Sequence, residues 1–102
     1  MMIIANATPL IYLHRIGQLE LLHQLFSQVT IPEEVAKELQ IGQYGEATIP
    51  ELPWITVMPV QHRLTVDVLA QVLDHGEAEV LALALEHAAD QVIMTLLVKS
   101  SP

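Results

Sequence analysis

The chain has 102 residues, a length that suggests one small domain, and its 52% hydrophobic content excludes an intrinsically disordered segment. A formal charge of −8, with Arg15, Lys37, Arg63 and Lys99 as the only fixed cations, argues against a broad basic surface that grips nucleic acid. The lack of cysteine rules out disulfides and thiolate metal sites; no apolar stretch has the ~18–20 residues of a membrane span, and Met1-Met2-Ile3-Ile4-Ala5 lacks a signal peptide's basic region, so a cytoplasmic, membrane-free setting is expected.

Ile3-Ile4-Ala5 is short, apolar and β-compatible, and reads as a buried strand. Thr8-Pro9 supplies an N-cap and a first-turn proline for a helix through Ile16, with Gly17 as its stop. Leu19 to Phe26 forms a second helix, and Val29-Thr30-Ile31 a second strand. Pro32-Glu33-Glu34 opens a third helix with acids placed favourably against its dipole; Val35 and Leu39 give it an apolar face, and it runs toward Gly42. Residues 42–53, with Gly42, Gly45, Pro50 and Pro53, read as the one loop. Trp54 to Met58 is a third strand. Residues 63–73 are amphipathic, with Leu64, Val68, Val72, Leu69 and Leu73 as the apolar stripe. Gly76 to His87 is almost wholly apolar after its first turn, so this helix must be buried on most sides. Gln91 to Met94 is a fourth strand that Thr95–Val98 can extend.

Short apolar strands alternating with helices predict a three-layer α/β/α domain around a short parallel sheet. In such folds ligands sit at the carboxyl ends of the strands. Asn6 follows the first strand directly, and the helix carrying Glu34 and Glu38 leaves the second strand at the same edge. A helix preceding a parallel strand runs opposite to it, so Glu77, in the first turn of the buried helix, belongs at that edge too. Carboxylates held there are candidates for a divalent cation.

Three blocks carry a resemblance. Ile3-Ile4-Ala5-Asn6-Ala7-Thr8-Pro9-Leu10-Ile11-Tyr12-Leu13, continued by Ile16-Gly17-Gln18-Leu19-Glu20-Leu21-Leu22, resembles the opening of PIN-domain-like proteins of the VapC toxin type. Ile31-Pro32-Glu33-Glu34-Val35-Ala36-Lys37-Glu38-Leu39 is similar to that family's second block, and Gly76-Glu77-Ala78-Glu79-Val80-Leu81-Ala82-Leu83-Ala84 to its third. The resemblance implies a ribonuclease of the toxin–antitoxin type, dependent on Mg²⁺ or Mn²⁺, with an RNA substrate and an antitoxin-like protein partner. Its acidic positions fall on Asn6, Glu38 and Glu77, so it implies Asn6, Glu38 and Glu77 as metal ligands and Glu38 and Glu77 as catalytic residues. A further acid would fall near Thr95 or Leu96, where this chain has none, and such chains continue past this strand; the expectation is a C-terminally truncated PIN-like domain spanning 1–102. The alternative reading is an inactive remnant that dimerises or binds an antitoxin-like protein.

Asp74, Glu79 and Glu34 are secondary site candidates. None of the five histidines has metal-ligand spacing to another, and His75 reads as a solvated turn residue. Trp54 and Tyr12 read as packing residues. So apolar a chain of this length is expected to expose a hydrophobic patch, and a homodimer is expected.

Overall fold

A computed structural model of the chain describes residues 1–95. Four strands, β1 (Ile3–Ala5), β2 (Val29–Pro32), β3 (Ile55–Met58) and β4 (Gln91–Ile93), form one sheet in the order β3-β2-β1-β4. Every pairing is parallel; Ile4 lies opposite Thr30 on one side and Val92 on the other, and Val29 lies opposite Ile55. The connecting helices are α1 (Ala7–Arg15), α2 (Glu20–Phe26), α3 (Glu33–Gln40), α4 (Arg63–Leu69) and α5 (His75–His87). The sheet grows outward from β1 to β2 to β3, and the chain then returns to place β4 on the far side of β1. Right-handed crossovers therefore set α1–α3 on one face and α4–α5 on the other. This is the expected small α/β fold. All of β1 is buried, and Ile4, Leu10, Val29, Ile31, Val35, Leu39, Val66, Val80 and Leu83 join in one core around it.

Local signals explain the helix ends. Gly17, at φ 71°, takes the left-handed position just past α1, where a side chain is disfavoured. Helix α1 begins earlier than expected: Asn6, not Thr8, is its N-cap, so Pro9 is the third helical residue. Proline is equally harmless there, because the first-turn N–H groups have no intrahelical acceptor. Asp74 starts α5 with a full capping box: its carboxylate accepts from the Glu77 N–H at 2.8 Å, and the Glu77 carboxylate accepts from the Asp74 N–H at 3.1 Å.

Four expectations need correction. Residues 42–53 are not all loop; Glu46–Glu51 is a 3₁₀ helix that buries Ile49 and Glu46. Helix α4 stops at Leu69, and it buries Val66 while Leu64, Val68 and Val72 lie exposed. Only the Leu69 and Leu73 part of the expected stripe turns inward, with Leu73 buried and Leu69 half-buried. Tyr12 is exposed, whereas Trp54 is buried and stacks on His23 with ring centroids 5.1 Å apart. Helix α5 is enclosed from Gly76 through Leu83 apart from half-buried Leu81, but Leu85 is exposed. Its outer side, with Leu69, Leu81, Ala84, Ala88 and Ala89, lines an apolar groove of about 620 Å³, the expected hydrophobic patch. The possible strand extension over 96–98 lies outside the described residues.

Candidate metal and active site at the carboxyl edge

Asn6 stands at the carboxyl end of β1, where strand order reverses and open α/β sheets leave a crevice. Its backbone N–H donates to Ile93 O at 3.1 Å, and its Nδ2 donates to Thr95 O at 2.9 Å, so both anchors come from the end of β4. The side chain is only 4% exposed, yet Oδ1 accepts no hydrogen bond among the described residues. A buried acceptor without a donor carries a desolvation penalty, and a ligand at the site would relieve it.

The first turns of α3 and α5 meet over the same edge. Glu38, one turn after Glu34, is half-buried, and its carboxylate lies against Gly76 where any other residue would carry a Cβ. The close approach requires glycine for space, not for an unusual backbone angle. Burial first, and then the negative charges of Asp74, Glu34 and Glu77 in that order, push the Glu38 carboxyl up to about 7. Asp74 is thus the strongest charged neighbour of Glu38, ahead of Glu77. Glu77 is 1% exposed, with one oxygen committed to the capping box.

Glu79 has a different task. One oxygen accepts from the Glu34 backbone N–H at 3.2 Å, supplying the cap that Pro32 cannot, and the other accepts from Arg63 Nη1 at 2.8 Å. This carboxylate braces α3 and α4 against α5. Glu34 also faces Lys37 at 3.9 Å, an exposed pair of little energetic weight.

The structure therefore brings Glu38 and Glu77 together, adds Asp74 and Glu34 beside them, and sets Asn6 at the same edge. His75 is exposed. Among the described residues no three histidine, aspartate or glutamate side chains stand close enough to hold one ion as they lie. Thr95 occupies the place after β4 where a further acid was sought, and Leu96 lies outside the described residues. In the sequence Asp74 reads as a secondary site candidate and not as a helix cap; its pressure on Glu38 depends on a residue 36 positions distant that no local pattern carries.

A parallel sheet with carboxylates gathered over its switch point belongs to the class of small α/β domains whose ligands sit at that rim. The chain matches the family model DUF3368, PIN domain, over residues 2–95, and it belongs to that family. No match was found among curated proteins or among solved structures. Membership points to a nuclease-type function in general terms. No helix among the described residues is long and apolar enough to cross a membrane.

Proposed function

We propose that the chain is a ribonuclease that hydrolyses RNA phosphodiesters with Mg²⁺ or Mn²⁺ held at the carboxyl edge, as in toxin-type PIN domains. The observation that carries the reading is the crowding of Glu38 by Asp74, Glu34 and Glu77. Like charges packed this way repel until protons or a cation neutralise them. Hard cations take oxygen ligands, and the donors on offer are the carboxylates of Glu38 and Glu77 and the Oδ1 of Asn6, which has no partner among the described residues. The residues present fit such an ion, with water completing its shell.

When bound, the cation would polarise the phosphate and bring a water toward ionisation near neutral pH. The chain does the rest. Glu38, which holds a proton up to about pH 7, would as a carboxylate be placed to accept one from the attacking water. The capping box fixes the Glu77 side chain, and the Glu79 brace fixes the start of α3, so both acids are held at one edge. Asn6, tied to the end of β4 through Nδ2, aligns the amide oxygen on the same rim.

The test is cleavage of single-stranded RNA by purified protein with Mn²⁺ or EDTA. Glu77→Gln keeps a side chain that can complete the capping box, so it removes charge with little change of fold. At least a hundredfold loss of metal-dependent cleavage is expected; undiminished cleavage in this variant refutes the assignment. A second reading, a non-cleaving module that self-associates or holds an antitoxin-like protein, draws on the apolar groove between α4 and α5.

A further inference from the structure

Far from the acids, the end of α1 and the segment after α3 build a second concave surface. Arg15 lines two adjoining cavities, one of about 340 Å³ with His14 and Tyr44, the other of about 190 Å³ with Tyr12. The surface is rigidly made. His14 Nε2 donates to Tyr44 O at 2.8 Å, and Gly45, at φ 90°, turns the chain against that ring. Glu46, 1% exposed, accepts from Tyr44 N at 2.7 Å and from Arg15 Nε at 3.3 Å. The guanidinium also lies over the Tyr44 ring, 4.8 Å from its centroid.

A buried carboxylate is thus spent on aiming one arginine. Only Nε is engaged; neither Nη has a hydrogen-bond partner among the described residues, and half of the side chain meets solvent. Such a fork fits two oxygens of a phosphate. Tyr12 and Tyr44 are exposed at 63% and 66% and flank the same arginine. Exposed rings beside a guanidinium whose Nη atoms keep their donors match the requirements of an unpaired nucleotide, whose base stacks while its phosphate is gripped. Arg63 and Lys37 pair with Glu79 and Glu34 as Arg15 pairs with Glu46, but among the described residues Arg15 is the fixed cation that lies over an aromatic ring.

We propose that Arg15, Tyr12 and Tyr44 form a substrate-holding subsite for one phosphate-and-base unit of single-stranded RNA. Helix α1 links it to Asn6: nine residues at ~1.5 Å rise put the arginine about 13 Å along the helix axis. That is roughly four phosphate spacings of a stacked strand at ~3.4 Å each. The substrate class rests on the nuclease reading; the subsite is tested without it.

The experiment is anisotropy of a short fluorescent single-stranded RNA in EDTA at low salt, where no cleavage intervenes. Arg15→Lys keeps the charge but loses the fork, and about tenfold weaker binding is expected. Arg15→Gln should also lower the slope of log affinity against log salt by about one. Tyr12→Ala, a change on an exposed helix face, should weaken binding about fivefold and leave the slope alone. Wild-type affinity in Arg15→Gln and Tyr12→Ala, with unchanged melting temperatures, overturns the proposal. So does inorganic phosphate binding that depends on Arg15 while the RNA does not bind, which would make this a plain anion site. RNA binding that depends on Arg15 in a protein that never cleaves supports the subsite and removes only the nuclease reading. Cleavage indifferent to these variants does the reverse.

Discussion

Glu46 and Glu38 are the same side chain in opposite company. Glu46 is almost fully enclosed, yet its carboxyl is held below the ordinary range, first by the Tyr44 N–H, then by its own N–H, with Arg15 contributing. Glu38 is only half-buried, yet it is pushed up to about 7 by desolvation and three neighbouring acids. Depth does not decide which carboxylate stays charged; the supply of donors does. The first arrangement builds structure, and the second stores repulsion that a cation or a proton must relieve.

Glu79 extends the satisfied side of this contrast, and removing it should have the largest effect. Glu79→Ala strips the cap from the Glu34 N–H and the partner from Arg63, at about 2–4 kcal/mol in urea unfolding. A loss under about 1 kcal/mol would show that solvent replaces the brace easily, and the contrast would weaken.

Glu38→Gln should act in the other direction in metal-free protein. Because its pKa in the folded state lies above the unfolded value, the folded chain holds the proton more tightly. This stabilisation is fully present below about pH 4.5 and is lost as pH rises toward 7. The glutamine should therefore add about 1–2 kcal/mol at pH 8, after allowance for solvent screening, and almost nothing at pH 4. Equal effects at both pH values in EDTA would mean that the acids do not crowd one another. The smallest change is Lys37→Ala, within about 0.5 kcal/mol by the same unfolding assay, because its pair with Glu34 is exposed and long.

The order of strands and helices was legible because apolar runs, turn glycines and acids at helix starts all act locally. The meeting of Glu38 with the α5 turn was also legible, through the rule that helices preceding parallel strands begin at the carboxyl edge. Glu46 was not: a glutamate between two glycines and a proline reads as solvent, and only the distant Arg15 and the close approach of Gly42 reveal its burial. The buried side of α4 was ambiguous because Val66 and Leu64 both fit a helical period, and only α5 selects between them. Tyr12 misled for a related reason, since an aromatic in an apolar helix gives no sign of which way it faces.

The reciprocal bonds between Asp74 and Glu77 tie the assembly of the acidic rim to the nucleation of a single helical turn. An unravelled α5 start scatters the carboxylates and leaves Glu38 as an ordinary acid. Slow hydrogen exchange at the Glu77 amide would therefore report how often the rim is assembled, and any event that frays that turn disperses the acids without touching the sheet.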